Sequence, residues 1–127
     1  MLNRANVGTL LVALGMSSAA YAATATVKAD HQVIENNGVV IAEVMVPEDA
    51  FVVIHPAYNV SVVLGLVAVK AGQSSDIKVS LDKPVKPGDK LWAMLHRDVG
   101  EKGKFEPNLD TPFMANGEPV KDSFKNK

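Results

Sequence analysis

Short runs of alternating apolar and polar residues, separated by turn-forming residues, are the feature that most limits the fold of this chain. From Ala42 to Val46 every second side chain is apolar and small or β-branched, and a similar alternation runs from Ile77 to Leu81. A period of two places one set of side chains on each face of a β-strand. The sequence therefore predicts strands, and it contains no convincing amphipathic helix after residue 22.

The runs are numerous and evenly spaced. Asn37-Gly38 is a hairpin signal, Pro and Gly residues separate the later runs, and Gly65 indicates a bulge or a bend. The predicted strands cover 31–35, 39–46, 51–55, 61–70, 77–81, 91–98 and 120–124. This pattern predicts an all-β fold, an antiparallel immunoglobulin-like β-sandwich of about seven strands.

The first 22 residues have the pattern of a signal peptide. Arg4 precedes an apolar run at 7–16, and Ala20-Tyr21-Ala22 has the small residues that signal peptidase accepts. The apolar run is about half of the ~20 residues that a membrane span needs. We therefore predict a signal peptide at 1–22, a single domain at 23–127, export to the periplasm or the cell exterior, and no stable membrane span after cleavage.

Composition excludes several classes of function. Thirteen basic and fourteen acidic residues give a formal charge of −1 with no basic stripe, which argues against a nucleic-acid partner. The chain has no Cys, which excludes disulfides, thiol catalysis and Cys-based zinc or blue-copper sites.

The residues best suited to chemistry lie between 91 and 120. Period two places His96 and Asp98 on one face of the predicted strand, about 6.5 Å apart. Glu106 and Asp110 follow on a loop rich in Gly, Pro and Asn, and they could complete an oxygen-rich shell. The four residues His96, Asp98, Glu106 and Asp110 are therefore the candidate metal ligands, with calcium as one possible ion.

The same residues also fit a purely structural role, in which no cofactor binds. A His at the end of a buried strand commonly forms hydrogen bonds within the fold, and Asp98 can cap a turn through Gly100. In this interpretation Phe105 and Phe113 fasten the long loop onto the sandwich.

Copper is a further alternative, since thioethers and imidazoles suit it. Met94 and His96 share a strand face, and the other available ligands are Met45, Met114, His31 and His55. An immunoglobulin-like order pairs the third and sixth strands antiparallel, which places His55 and His96 at opposite ends of the sheet. We therefore predict that these two histidines cannot share one site.

Catalysis has little support. The chain contains no G-x-S-x-G elbow, no Gly-rich phosphate loop and no H-E-x-x-H motif. The sequence predicts that the protein is not an enzyme, and that its lysine-rich end, 121–127, is solvated.

Segments 46–56, 71–84, 91–113 and 117–120 resemble a family of extracytoplasmic β-sandwich domains of unknown function that recur in bacterial and archaeal envelope proteins. The most specific part is M-L-H-x-D at 94–98, followed by Phe105-Glu106 and Asp110-x-Pro112. Ala50 stands where family members often carry Gly. The resemblance, over about 39–125, implies a β-sandwich at the surface or in the periplasm, and it implies no activity or cofactor.

Two functions remain. The first is a non-catalytic binding or assembly module of the cell envelope, whose partner is an envelope protein or another copy of the chain. The alternative is a periplasmic protein that binds calcium or copper through the 94–114 region.

Overall fold

The computed structural model describes residues 24–127, and within this range every regular element is a strand. The alternating runs of the sequence form the long strands, and Pro, Gly and Asn residues lie between them. The strands are β1 (Thr26–Lys28), β2 (Gly38–Val46), β3 (Ala50–Pro56), β4 (Gly65–Val69), β5 (Gly72–Ser80), β6 (Lys90–Arg97), β7 (Met114–Ala115), β8 (Glu118–Pro119) and β9 (Lys121–Lys125). The predicted signal peptide lies outside the described residues. No helix in the described part of the chain is long and apolar enough to cross a membrane.

Seven of these strands form two antiparallel sheets. One sheet has the order β9-β6-β3-β4, the other has the order β1-β2-β5, and β7 pairs with β8 in a small hairpin. All pairings between these strands are antiparallel. The strand connections follow an immunoglobulin-like sandwich in which the fourth strand pairs with the third instead of the fifth, so the predicted fold class is confirmed.

The core lies between the two sheets. Ile41 and Val44 of β2 belong to the same buried cluster as Ile54 of β3, Leu95 of β6 and Phe124 of β9. Each aliphatic or aromatic side chain buried there stabilises the fold by about 1.5–3 kcal/mol. With no disulfide in the chain, this burial is the main force that holds the sheets together.

Strands β3 and β6 are buried on both faces, as the sequence predicted for β6. All seven residues of β3 are buried, and Leu91, Ala93 and Leu95 of β6 face the core. On the other face, Met94 and His96 are also buried. The loop 98–113 folds back over this outer face, and the resulting layer contains the candidate site.

The N-terminal part differs from the prediction. Residues 31–35 form isolated bridges instead of a strand, and β1 was not predicted. The hairpin turn is shifted by one residue, because Asn36 and Asn37 are its central residues, with φ of 54° and 56°. The Gln32 side chain makes the hydrogen bonds to β2 that the backbone of a strand would otherwise make. Its amide group donates to the Val40 carbonyl and accepts from the Val40 N–H, both at 2.9 Å.

The strand expected at 61–70 begins only at Gly65, and β5 begins at Gly72, where the sequence indicated a break. At Gly65 the two sheets approach each other closely. A Cβ atom there would overlap the Ser80 carbonyl oxygen, so only glycine fits.

The strand predicted at 120–124 is confirmed, but the prediction that residues 121–127 form a solvated tail is wrong. Lys121–Lys125 form β9 beside β6, and Asn126 is 4% exposed. The Asn126 side chain accepts from the Ile34 N–H at 2.9 Å and donates to the Val85 carbonyl at 3.3 Å. The end of the chain thereby joins two distant segments.

Candidate functional site

The C-terminal end of the loop 98–113 is held against β6 by two backbone hydrogen bonds. Thr111 accepts a hydrogen bond from the Arg97 N–H at 2.9 Å, and the Phe113 N–H donates to the Leu95 carbonyl at 3.0 Å. Phe113 packs against the core, as predicted. Phe105 contacts Phe51 and His96 edge-on, with ring centroids 5.4 and 5.2 Å apart, so its predicted role in fastening the loop is confirmed.

The Asp110 carboxylate binds three backbone N–H groups of this loop. Its Oδ1 accepts from the N–H groups of Val99 and Gly100 at 2.7 and 3.1 Å, and its Oδ2 accepts from the Glu106 N–H at 2.7 Å. The side chain is fully buried. Burial alone raises the pKa of a carboxyl, but these three N–H donors, with a smaller contribution from His96, lower the pKa of Asp110 below its ordinary value.

The other two carboxylates also bind backbone amides. Asp98 is 5% exposed, and its Oδ2 accepts from the Gly103 N–H at 2.9 Å. Glu106 Oε1 accepts from the Glu101 N–H at 2.8 Å. Asp98 therefore caps the turn after β6, although through Gly103 instead of the predicted Gly100.

The structure thus brings the four predicted ligands into one region but gives them other partners. The three carboxylates bind loop N–H groups, and His96 Nδ1 contacts the Asp110 backbone carbonyl at 2.7 Å. Within residues 24–127, no group of three or more His, Asp or Glu side chains is arranged to hold a metal ion. These contacts match the structural interpretation of the loop, while the carboxylate metal site stays a prediction.

The structure contains a pair of adjacent imidazoles, although the sequence predicted that these two histidines cannot share one site. Strands β3 and β6 pair antiparallel as predicted, with His55 opposite Trp92 and His96 opposite Phe51. The rings of His55 and His96 nevertheless lie 5.7 Å apart between centroids. The prediction that they cannot share a site is therefore wrong, because it considered backbone positions only. Both side chains project from the same sheet face, and their rings incline toward each other along it.

Each imidazole of the pair makes one hydrogen bond, and each is buried. His55 Nδ1 lies 2.8 Å from the Val62 carbonyl, as His96 Nδ1 lies beside that of Asp110. The two Nε2 atoms are buried and have no hydrogen-bond partner. Burial lowers the pKa of both histidines, and the carbonyl contacts raise it only in part. For His96, the charge that His55 can carry lowers the pKa further.

The remaining side chains considered for copper are dispersed. Met94 is buried on the same face as the two histidines, but Met45 belongs to β2 in the opposite sheet, and Met114 is 59% exposed on β7. His31 is exposed, and its Nδ1 accepts from the Lys125 N–H at 3.0 Å. The thioethers and imidazoles therefore do not gather into one Met-rich site.

The sequence model of a family described as Domain of unknown function (DUF7282) matches residues 25–126. The chain belongs to this family. The expected relationship to extracytoplasmic domains of unknown function is thereby confirmed.

Two curated relatives come from the archaeon Haloarcula hispanica. Cell surface glycoprotein 1 is 35% identical over 103 residues, which are 79% of this chain and 11% of that protein. Cell surface glycoprotein 2 is 30% identical over 102 residues, again 79% of this chain and 11% of that protein. The chain thus spans about a ninth of the length of each relative. No solved structure shows a significant match.

Proposed function

We propose that this protein is a non-catalytic module of the cell envelope, which acts through contacts of its surface with an envelope protein or with another copy of itself. The observation that carries the proposal is the family relationship, since two relatives are cell surface glycoproteins. Those relatives are far longer than this chain, so they accommodate a domain of this kind as one part of a larger protein.

The chemistry of the loop supports a non-catalytic role. General acid and base catalysis needs a carboxyl or imidazole group within reach of a substrate proton. In this loop Asp98 and Asp110 are buried and their carboxylates bind backbone N–H groups. Such carboxylates stabilise a loop conformation: both oxygens of Asp110 and the Oδ2 of Asp98 accept from the chain itself.

The sheet edges indicate where a partner could bind. One side of the sandwich is closed, because Asp122 of β9 accepts from the Ala29 N–H at 2.9 Å and Gln32 pairs with Asn126. On the other side, β4 and β5 are the edge strands of their sheets. An edge strand offers unpaired backbone groups to an added strand. We place the contact surface at β4 and β5, where Leu66 is 37% exposed.

The location can be tested on intact cells. The full chain, carrying an epitope tag at its C-terminus, is expressed in its native cell, and intact cells or cells with a permeabilised outer layer are treated with protease. We expect loss of the tag while a cytosolic marker survives. A tag that stays protected with the cytosolic marker, and that is found only in the cytosolic fraction, would contradict the proposal.

The contact surface can be tested in the same cells with a photo-crosslinking residue. We expect a crosslink to one envelope protein or to a second copy when the residue replaces Leu66 at the β4 edge. The control position is Lys104, which is exposed in the loop 98–113. Absence of crosslinks from both positions in exported protein, or crosslinks from Lys104 alone, would exclude the β4–β5 surface.

A further inference from the structure

His55 and His96 form a buried pair in which each ring has one nitrogen in a hydrogen bond and one nitrogen without a partner. Their exposed fractions are 3% and 8%. The ring centroids lie 5.7 Å apart with an angle of 43° between the planes, and neither Nε2 atom has a hydrogen-bond partner. Buried polar atoms are satisfied in the great majority of cases, so two neighbouring exceptions call for an explanation.

The hydrogen bonds at Nδ1 determine which form each ring takes. A backbone carbonyl only accepts, so Nδ1 of His55 donates its proton to Val62, and Nδ1 of His96 donates to Asp110. In a neutral imidazole the proton on Nδ1 leaves a lone pair on Nε2. Each of the two adjacent buried rings thus has a lone pair without a partner on Nε2. Burial lowers the pKa of both histidines, which keeps these lone pairs unprotonated.

We propose that the Nε2 atoms of His55 and His96 bind one monovalent soft metal ion, with copper(I) as the natural ligand class and silver(I) as its chemical analogue. Metal–imidazole bonds are about 2.0–2.1 Å long, so the centroids of two rings on a shared ion lie about 5 Å apart at a tetrahedral N–metal–N angle and about 6.3 Å apart at the linear angle that two-coordinate copper(I) prefers. The observed separation of 5.7 Å lies within that range. The proposal goes beyond the envelope module of the preceding section and does not depend on it.

The two neutral imidazole ligands favour a monovalent ion over a divalent one. Two neutral imidazoles bring no negative charge, and the described residues contain no group of three or more His, Asp or Glu side chains that could hold a metal. The cost of burying an ion rises steeply with its charge, so a divalent cation without a carboxylate is disfavoured here. Imidazole is a good ligand for copper, whereas zinc and calcium sites use four or more ligands.

The surroundings of the pair are those of a metal site. Metal-binding histidines usually donate their second ring N–H to a carboxylate, a backbone carbonyl or water, which orients the ring. Both histidines show this arrangement with a carbonyl. Phe105 packs edge-on against His96 at 5.2 Å and shields the pair from the solvent side of the loop.

The test measures silver(I) binding to the purified full chain by equilibrium dialysis in chloride-free buffer, and copper(I) binding under anaerobic ascorbate. We expect one equivalent of either ion. His55→Asn and His96→Asn each keep a donor at the place of Nδ1–H but lack Nε2. We expect each to weaken binding by more than about 100-fold, since loss of an outer-shell partner alone costs about 10–100-fold.

His31→Asn is the matched control, because His31 is the third histidine, is exposed, and contacts the Lys125 N–H outside the pair. It should bind like the wild type. The proposal is overturned if the wild type binds neither ion, or if His55→Asn and His96→Asn bind as tightly as His31→Asn. It is also overturned if Ca²⁺ or Zn²⁺ raises the melting temperature while silver(I) does not, which would support the carboxylate site.

Side-chain ¹⁵N NMR of the wild type keeps the test decisive should the variants fail to fold. We expect silver(I) to shift the Nε2 resonances of His55 and His96 and to leave their Nδ1 atoms protonated. A shift confined to His31, or no shift in any histidine, contradicts the proposal.

Discussion

At the scale of single residues, Asp110 does the most to determine the conformation of the loop 98–113. Three backbone N–H groups converge on its buried carboxylate. A carboxylate is an acceptor at both oxygens, so it satisfies all three donors at once. An amide of the same shape cannot do so, because its NH₂ group would face an N–H group.

We predict that Asp110→Asn lowers the free energy of unfolding at pH 7 by about 1.5–3 kcal/mol, as expected for lost hydrogen bonds to a charged group. Urea denaturation measures the change. Asp82→Asn is the control, since Asp82 is exposed and has no side-chain hydrogen bond in the structure. A loss of equal size in both variants would contradict this role of Asp110.

The stability that Asp110 provides should also depend on pH. The pKa of Asp110 is lower in the folded protein than its ordinary value of 3.8. The unfolded chain therefore binds a proton first, and the contribution is complete above that ordinary value and is lost as the pH falls through the folded pKa. We expect the difference between wild type and Asp110→Asn to shrink steadily below about pH 4.

At the scale of elements, the approach of β4 to β5 depends on Gly65. These strands belong to different sheets, and they meet where the first residue of β4 lies against the last residue of β5. The Leu64 carbonyl accepts from the Asp82 N–H at 2.7 Å beside this contact. Any side chain at position 65 would separate two backbones that are held together by hydrogen bonds.

We predict that Gly65→Ala destabilises the fold by about 1–3 kcal/mol, the usual cost of overpacking. Gly38→Ala is the matched control, because Gly38 also begins a strand and its added Cβ would lie 3.6 Å from the nearest atom, the Glu35 carbonyl oxygen. We expect that control to change stability little. Equal melting temperatures of the two variants would show that Gly65 does not limit the sheet separation.

At the scale of the whole molecule, Asn126 connects the C-terminal end of the chain with the segment between β1 and β2 and with the segment before β6. Its side chain contacts Ile34 and Val85, and its carbonyl accepts from the Gly88 N–H at 2.6 Å. One side of the sandwich is therefore closed by side-chain and tail contacts instead of a continuous ladder.

We predict that Asn126→Ala costs about 1–3 kcal/mol, because it leaves the partly buried Ile34 N–H and Val85 carbonyl without their side-chain partner. Hydrogen exchange should quicken together at residues 32–34 and 85–89, while the centres of β3 and β6 keep their protection. Lys125→Ala is the control, since Lys125 is exposed. Faster exchange at only one of the two segments would refute their coupling through Asn126.

Much of the fold could be predicted from the sequence. The alternation at 91–98 placed Leu91, Ala93 and Leu95 on the core face, and Phe105 was expected to fasten the loop, as observed. Segments without alternation were the ones predicted wrongly. Strand β1 has only three residues, and the Gln32 amide replaces a strand, a substitution for which the sequence shows no pattern.

The sequence by itself determined the long alternating strands, their two faces and the fold class, because the period of two is a local property of the extended backbone. Tertiary structure alone decided which polar groups meet. Asp110 is occupied by loop amides instead of standing in an oxygen-rich shell, and His55 lies beside His96 despite its distant register position. Such contacts depend on how side chains far apart in the chain incline across a shared sheet face, and no local pattern records that.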